Sequence, residues 1–361
     1  MISFDVVIPT GGSPTNLQSI LNLHAPEGTM LNFFVVTDKP PATFAAAKGA
    51  NVKVVQSGGA GASAARNAGV EAGSGDYILF IDDDVIPSPS LIESYRLAIE
   101  RWPDAVGFVG LTRLPDPVNS FERGVVASDI LTFQGIAKTH QTVSWGVTAN
   151  LLVRRVAMGP VRFSQDFPRH GGGEDIDFCL RIVKHTGKRF LSVPEAVVEH
   201  PWWHNGSRQY KRFARWAYGD SRLPAMYKEY RYRNFPNMSE AAVLGALAFA
   251  VAGVLEPRLI YGVGYAILAA CLIEFAADSI RCHRRGMGSG RTGVEAALVR
   301  LSNELGRVAG NLSRGHVAGF SERFDYFTTG ESIAYERRAA AGKLLVFVVG
   351  LSIFLLILVH G

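Results

Sequence analysis

Three apolar segments near the C-terminus place the strongest constraint on how this 361-residue chain folds. Residues 241–255, 259–273 and 344–359 contain no charged side chain. Each is about 15 residues long, slightly under the roughly 20 that cross a bilayer as a helix, and flanking residues extend them. Buried helices of a soluble domain are the alternative, because short apolar runs are ambiguous. We expect membrane helices.

The charges beside these segments favour a membrane and predict an orientation. Lysines and arginines are frequent in residues 208–233, before the first segment, and three arginines follow the second in residues 281–285. Basic flanks are typical of the cytoplasmic side. Only residues 256–258 join the first two segments, which predicts a tight hairpin, and the basic residues of 337–343 predict a cytoplasmic start for the third. A hairpin that only dips into the inner leaflet is the alternative.

The N-terminus and the cysteines predict that the rest of the chain stays in the cytoplasm. Residues 1–10 have the pattern of a strand and lack the basic and apolar regions of a cleavable signal. Cys179, Cys271 and Cys282 are too few and too scattered for a disulfide framework or a zinc site, as in a reducing compartment.

The first two hundred residues alternate strand-like and helix-like segments. This pattern predicts an α/β fold with a mainly parallel central sheet, followed by the C-terminal helical membrane region. Ligands of such open sheets bind beyond the carboxyl ends of the strands. Pro9, Asp38 and the triplet at residues 82–84 all fall at such ends. The predicted strands cover residues 4–10, 33–38, 51–56 and 77–82.

The triplet Asp82, Asp83 and Asp84 directly follows an apolar strand. Three like charges repel one another unless a cation or several hydrogen-bond donors meet them. Carboxylate oxygens suit magnesium, calcium or manganese, so the triplet predicts a divalent metal site. A solvated acidic loop is the alternative.

A glycine loop leads into a helix over residues 171–187, with Ile176, Leu180 and Val183 on one apolar face. Gly187 is expected to end this helix. Asp175 then lies in the first turn, where a carboxylate also serves as an ordinary helix cap.

The ordered set of motifs resembles glycosyltransferase family 2, the inverting enzymes with the GT-A fold. The motifs are VVIPT, Asp38 after a strand, GASAARNAG, FIDDDVIP, GGGEDIDFCLR and VVEH. The similarity extends over roughly residues 2–220. It implies a Rossmann-like sandwich that transfers a sugar from a nucleotide diphosphate with the help of Mg²⁺ or Mn²⁺.

The resemblance implies a metal site of the D-x-D type. Asp84 is the expected metal ligand and Asp82 its partner, on the metal or on the donor, while Asp83 is the variable middle position. His200 corresponds to a histidine that relatives supply to the metal, and His204 is an alternative ligand. A lone histidine is more often a surface or core residue.

The resemblance also implies a donor pocket. Pro9 and Thr10 belong to the nucleotide pocket, Asp38 reads the uracil or ribose edge, and Arg66 lies along the nucleotide. The alternatives are a turn aspartate at position 38 and a helix-surface arginine at position 66.

Inversion needs a base opposite the leaving group, and the E-D pair of the family matches Glu174 and Asp175. Asp175 is the expected base, and Glu174 positions the acceptor. Softer candidates for contact with the donor sugar or the acceptor are Trp145, Thr148, Asn150 and Gly173.

Two further segments admit more than one interpretation. RFARW at residues 212–216 resembles the Q-x-x-R-W motif of processive synthases, but arginine replaces the glutamine, which argues against a polymerising channel. A basic amphipathic helix on anionic lipid is the alternative. Residues 294–310 have helical spacing and predict an interfacial helix, a dimer contact or a packed soluble helix.

These observations predict an inverting transferase at the cell membrane, with its catalytic domain in the cytoplasm. It uses a UDP-, GDP- or dTDP-type sugar and a lipid-linked or glycan acceptor, and it has membrane lipids but no nucleic acid as partners. The alternatives are a polyprenyl-phosphate sugar synthase and a non-catalytic scaffold; GGSPTN at residues 11–16 does not fit a nucleotidyltransferase. The predicted regions are the GT-A domain (1–220), a basic linker (221–240), the hairpin (241–280), a cytoplasmic or interfacial segment (281–342) and a terminal membrane helix (343–361).

Overall fold

A computed structural model describes residues 1–11, 16–39, 51–169, 171–288 and 290–360. The chain divides into two compact units. We call residues 1–116 and 131–205 the sheet unit, and residues 117–130 and 206–361 the helical unit. Most of the GGSPTN segment, residues 12–15, lies outside the described residues.

The sheet unit contains a nine-stranded mixed sheet in the order β3-β2-β1-β4-β8-β6-β9-β5, with β7 paired to β9. Strands β1, β2, β3, β4, β6 and β9 run in one direction, and β5, β7 and β8 run in the other. The prediction of a mainly parallel sheet is therefore confirmed. The strands are β1 (Ile2–Pro9), β2 (Thr29–Val36), β3 (Asn51–Val55), β4 (Tyr77–Phe80), β5 (Ile86–Pro87), β6 (Gly107–Arg113), β7 (Thr142–Val143), β8 (Leu151–Arg154) and β9 (Phe190–Glu199).

Helices flank the sheet and form most of the helical unit. They are α1 (Leu17–Leu21), α2 (Ala62–Ala72), α3 (Leu91–Arg101), α4 (Ser120–Ala127), α5 (Ile136–Thr139), α6 (Arg155–Met158), α7 (Glu174–Thr186), α8 (Tyr210–Asp220), α9 (Leu223–Met226), α10 (Met238–Leu255), α11 (Tyr261–Arg284), α12 (Gly290–Ser313) and α13 (Ile333–His360). Two short strands, β10 (Arg231–Arg233) and β11 (Glu322–Phe324), pair antiparallel in the helical unit.

The central strands β1 and β4 are apolar and buried, as their sequences predict. Val6, Val7, Leu79 and Phe80 have no exposed surface, and burial of such a side chain contributes about 1.5–3 kcal/mol. The parallel register pairs Val7 with Phe80. The carboxyl ends of both strands therefore reach the same edge of the sheet.

The boundary of the sheet unit differs from the domain end predicted at residue 220. Residues 206–220 pack with the helical unit, because glycines of α12 allow α8 to approach closely. A side chain at Gly306 would collide with the backbone of Ala214, and one at Gly310 with the hydroxyl of Ser221. The RFARW motif lies on α8, where Phe213 is fully buried and contacts Trp216 edge to face.

Residues 294–310 belong to α12 and form a packed helix, one of the three predicted possibilities. Ala296, Ala297 and Val299 are fully buried inside the helical unit. In an exposed interfacial helix, this apolar face would not be covered by the protein. The helical spacing of apolar residues in the segment therefore reflects the packing of α12 inside the unit.

Within the described part of the chain, three helices are long and apolar enough to cross a membrane: Met238–Leu255, Pro257–Arg284 and Ile333–Leu358. The three apolar segments predicted from the sequence lie in them. The first begins at a capping box, in which Asn237 and Glu240 exchange hydrogen bonds with each other's backbone. A short 3₁₀ turn, Pro257–Ile260, joins the first two helices at the predicted hairpin.

Glu304 on α12 is a buried carboxyl whose charge state depends on its neighbours. It accepts a hydrogen bond from the backbone of Ser239 at 3.0 Å. Burial raises the pKa of Glu304 to about 7, with Glu274 adding to the rise and Lys343, Ser239 and Arg300 opposing it.

We expect the helical unit to lose stability as pH rises from about 5 to 7. The pKa of Glu304 in the folded chain lies above its ordinary value of 4.5, so in this window the folded chain holds a proton that the unfolded chain has released. The free energy of unfolding then falls by on the order of 1 kcal/mol per pH unit. Thermal unfolding in detergent at pH 5 to 8 measures this slope.

Glu304→Gln should flatten the slope, because the amide does not titrate. Glu256→Gln, which removes an exposed carboxylate from the same unit, should leave the slope unchanged. An equal slope in wild type and Glu304→Gln would contradict this account.

Candidate active site

Two aspartates and a histidine meet at the carboxyl edge of the sheet. Single ligand atoms of Asp82, Asp84 and His200 lie within 4.8 Å of one another. The aspartates follow β4 and the histidine follows β9, which runs in the same direction, so distant segments meet at one edge. The Nε2 atom of His200 is 3.6 Å from Oδ1 of Asp84.

The hydrogen bonding of His200 prepares its ring to bind a cation. Its Nδ1 atom lies 2.8 Å from the carbonyl oxygen of Pro201. A carbonyl only accepts hydrogen bonds, so Nδ1 carries a proton in this contact, and Nε2 is the ring nitrogen that faces Asp84. Such a second hydrogen bond is typical of metal-binding histidines. Two carboxylates and this imidazole therefore fit Mg²⁺ or Mn²⁺.

His204, the alternative ligand predicted from the sequence, is not in this cluster. It is exposed and has a left-handed backbone conformation, with φ of 50°. The structure thus favours His200, which is 6% exposed.

Asp83 is not part of the cluster that Asp82 and Asp84 form with His200, and its side chain contacts Thr10 instead. Burial raises its pKa to about 6, while a hydrogen bond from the Thr10 side chain opposes the rise, and the charges of Asp84 and Asp82 add to it. Asn16 holds the same loop, since its Nδ2 donates to the carbonyl of Asp84 at 2.6 Å and its backbone N–H to that of Asp83 at 3.2 Å. The contacts with Thr10 and Asn16 therefore hold the aspartate triplet, which follows β4, next to the end of β1.

Arg66 connects the metal cluster to helix α7. Its guanidinium lies 3.4 Å from Asp82 and 3.2 Å from Glu174, and it stacks over Phe163 at 5.5 Å. Burial lowers its pKa, but the charges of Asp82, Glu174 and Asp175 more than offset this and raise it overall. The alternative of a helix-surface arginine is wrong, because Arg66 is 6% exposed.

We expect Arg66→Gln to lower the free energy of unfolding by about 3 kcal/mol, because Asp82 and Glu174 lose their shared cation in a partly buried site. Denaturation in detergent with EDTA, followed by tryptophan fluorescence, measures the change. Arg113→Gln is the matched control, since Arg113 pairs with Glu199 at an exposed position and such pairs contribute less than about 1 kcal/mol. Equal losses in the two variants would contradict the bridging role of Arg66.

A run of three glycines sets the start of helix α7. Gly171, Gly172 and Gly173 have φ angles of 89°, 118° and 87°, which other residues rarely adopt. The turn lets Glu174 accept a hydrogen bond from the backbone of Gly172 at 2.7 Å while it pairs with Arg66. Asp175 is less buried than Glu174 and accepts from the backbone of Ile176 at 2.9 Å.

The two carboxylates of the E-D pair therefore differ in environment. Glu174 is buried, and both of its oxygens are engaged by the loop and by Arg66. Asp175 occupies the more open position of the pair.

Asp38 anchors the loop that follows β3. Its two carboxylate oxygens accept hydrogen bonds from the backbone N–H groups of Ser57, Gly58 and Gly59 and from the Ser57 hydroxyl, at 2.5–2.9 Å. The hydroxyl contact lowers the pKa of Asp38 most; burial opposes it, and the backbone contacts lower the pKa further. These four contacts use all the ordinary acceptor positions of a carboxylate. The nucleotide-reading role of Asp38 stays a prediction.

Asn150 connects three elements inside the sheet unit, and its predicted contact with a sugar stays a prediction. Its side chain is fully buried, donates to the carbonyls of Leu111 and Ala196 at 3.1 and 2.8 Å, and accepts from the Tyr95 hydroxyl at 2.7 Å. The amide is used to join β6, β9 and α3. Trp145 is 3% exposed and packs against Phe133.

Sequence reasoning missed the roles of Asn16, Phe163 and Asn150. Asn16 is a polar residue shortly after the first strand, which is the signal that would have identified it. Phe163 and Asn150 give no such signal, because their contacts come from segments far away in the chain. The predicted sugar or acceptor contacts of Trp145 and Gly173, and the nucleotide contacts of Pro9 and Thr10, stay predictions.

Comparisons with known proteins agree with this geometry. The family profile described as Glycosyl transferase family 2 matches residues 5–158. A pre-mycofactocin glycosyltransferase of Mycobacterium tuberculosis is 31% identical over 146 residues, which cover 39% of this chain and 30% of that protein. A glucosyl-dolichyl phosphate glucuronosyltransferase of Haloferax volcanii is 28% identical over 149 residues, which cover 39% of this chain and 47% of that protein. The match thus spans less than half the length of these relatives.

A solved structure gives the same fold. It is that of a mannosyltransferase from Pyrobaculum calidifontis in complex with GDP-Man and Mn²⁺, with a TM-score of 0.50 and 15% identity, over 84% of this chain and 86% of that one. At this identity the likeness concerns the fold alone. Residues 5–158 are therefore similar to glycosyl transferase family 2, and the chain has a GT-A-like fold.

Proposed function

We propose that this protein transfers a sugar from a nucleotide diphosphate sugar to a hydroxyl of an acceptor, with inversion at the sugar carbon. The acceptor is a lipid-linked glycan or a glycolipid at the cytoplasmic face of the membrane. The observation that carries the proposal is the cluster of Asp82, Asp84 and His200 at the carboxyl edge of the sheet.

Asp84, Asp82 and His200 are the residues that would hold the cation. When bound, Mg²⁺ or Mn²⁺ neutralises the charge that develops on a diphosphate leaving group. Arg66 keeps Asp82 in place through its contact with Glu174, and Asn16 holds the backbone of Asp83 and Asp84. The carboxylates are thus positioned before the donor arrives.

Asp175 is proposed as the base. A carboxylate oxygen of Asp175 takes the proton of the acceptor hydroxyl as that oxygen forms a bond to the sugar carbon. The bond from the sugar carbon to the diphosphate oxygen breaks at the same time, and its electron pair leaves with the nucleotide. Attack occurs from the face opposite the leaving group, which inverts the configuration. Glu174, fixed by Arg66 and Gly172, keeps the first turn of α7 in position.

A lipid-linked acceptor is supported by two observations. Three helices of the helical unit are long and apolar enough to cross a membrane. The Haloferax relative is named for a reaction that involves a glucosyl-dolichyl phosphate.

Arginines and lysines beside the apolar segments favour the cytoplasmic side for the remainder of the chain.

Binding of a panel of donors tests the proposal. The full chain in detergent is titrated with UDP-, GDP- and dTDP-sugars, with manganese and with EDTA, and binding and donor hydrolysis are measured. We expect one nucleotide type to bind, with manganese required for tight binding. Failure of every nucleotide to bind in the presence of metal would overturn the transferase proposal and favour a non-catalytic scaffold.

A further inference from the structure

A group of hydrogen-bond donors without acceptors lies in the helical unit, where the end of α8 meets the end of α12. The buried atoms Nε of Arg222, Nη1 of Arg314 and Nδ2 of Asn311 have no hydrogen-bond partner among the described residues. A buried donor without a partner costs about 1–3 kcal/mol. The three donors lie on neighbouring segments, and an acceptor from outside the chain would satisfy them.

Direct contacts join Arg314 to Ser221 and to Asn311. Nη2 of Arg314 donates to the hydroxyl of Ser221 at 2.6 Å and to Oδ1 of Asn311 at 3.4 Å. Ser221 immediately precedes Arg222, and the Tyr218 hydroxyl lies 3.0 Å from the hydroxyl of Ser313. The close approach of α8 at Gly310 brings both helix ends together. The geometry thus combines residues 218–222 with residues 311–314.

The site carries the positive charge of two arginines. Within the described part of the chain, neither Arg222 nor Arg314 forms an ion pair. Burial lowers the pKa of Arg314, and the charge of Arg222 lowers it further, with Tyr218 opposing. Two arginines that repel each other in a partly buried site are stabilised when an anion binds between them.

Apolar side chains lie beside the donors in the sequence and are exposed. Met226 follows Arg222 by one helical turn and is 47% exposed, while Leu312 and Val317 flank Arg314 and are 49% and 59% exposed. The same unit contains the three helices that could cross a membrane. Cationic groups next to exposed apolar groups are typical of a surface that meets lipid headgroups.

We propose that Arg222, Arg314 and Asn311 form a binding site for a phosphate group, and that a phospholipid headgroup supplies it. Arginine donors suit phosphate oxygens, and the Asn311 amide adds a neutral donor. The site belongs to the helical unit and is separate from the proposed sugar transfer, so it fixes the protein on anionic lipid.

Thermal unfolding of the full chain in neutral detergent tests the site. The probes are dihexanoyl phosphatidylglycerol, dihexanoylglycerol, which has the same tails without phosphate, and inorganic phosphate. We expect the melting temperature to rise with phosphatidylglycerol and to stay constant with dihexanoylglycerol. An equal rise with inorganic phosphate at the same concentration would support the site and identify soluble phosphate as its source.

Two variants remove the site in different ways. Arg314→Gln should weaken the apparent affinity for phosphatidylglycerol by on the order of tenfold or more, because a charge-assisted contact is lost. Asn311→Asp places a carboxylate beside Arg314, so it should raise the melting temperature of the protein without lipid and abolish the response to lipid. This second variant keeps the test valid if Arg314→Gln fails to fold.

Arg284→Gln is the matched control, since it removes an exposed arginine from the same unit. It should respond to phosphatidylglycerol as the wild type does. Equal responses of the wild type, Arg314→Gln and Asn311→Asp would overturn the proposal, as would an equal response to dihexanoylglycerol.

Discussion

Asp84→Asn is expected to lower the rate of sugar transfer by roughly a thousandfold and to remove the metal dependence of donor binding. The amide keeps the shape of the side chain but loses the negative charge that faces His200 and Asp82. A bound cation contributes several kcal/mol to stabilisation of a charged leaving group, and about 1.4 kcal/mol corresponds to a tenfold change in rate. Turnover and manganese titrations of donor binding measure both effects.

The folding of Asp84→Asn should remain intact, because removal of one of three adjacent like charges relieves repulsion. Asp104→Asn is the matched control: Asp104 lies in the same unit, and its side chain is 91% exposed. It should behave as the wild type. Donor binding that remains metal-dependent in Asp84→Asn would exclude Asp84 as a metal ligand and leave Asp82 and His200 as the candidate ligands.

Asp175→Asn is expected to reduce turnover by about a hundred- to ten-thousandfold while donor binding stays within about twofold of wild type. The size of the loss follows from general-base catalysis, in which a positioned carboxylate removes the proton of the attacking hydroxyl. Donor binding should persist, because Asp82, Asp84 and His200 are unchanged. Turnover and donor affinity measured on the same preparation separate the two effects.

The same variant separates two types of acceptor. An acceptor phosphate is already ionised and needs no base, so a polyprenyl-phosphate sugar synthase would retain much of its rate in Asp175→Asn. Asp166→Asn, an exposed position in the same unit, is the control and should leave turnover unchanged. Wild-type turnover in Asp175→Asn would overturn its role as base.

Glu174 and Asp175 illustrate how far the sequence predicts a site. The glycines and the E-D pair predicted a loop before a helix, and the structure has this loop, with α7 starting at Glu174. The sequence did not indicate that Arg66 would hold Glu174, because the two residues are 108 positions apart. Their contact depends on the packing of α2 and α7, which no local pattern encodes.

The domain boundary illustrates the same limit in the helical unit. The apolar segments predicted helices correctly, since lack of charge over about 15 residues is a local property. Residues 117–130 and 206–220 fall within residues 1–220, the range that the family resemblance predicted as the first domain. They belong instead to the helical unit, because Gly306 and Gly310 of α12 admit the backbone of α8.

The sequence by itself determined the alternation of strands and helices, the three apolar helices and the acidic triplet at the end of β4. Each depends on residues that are neighbours in the chain, so hydrophobic periodicity and charge reveal it. Only the tertiary structure decided that His200 rather than His204 joins Asp82 and Asp84, that Arg66 bridges Asp82 and Glu174, and that Asn150 braces the sheet. These outcomes depend on which segments meet at one edge of the sheet, and burial leaves each polar group only the partners that this meeting supplies.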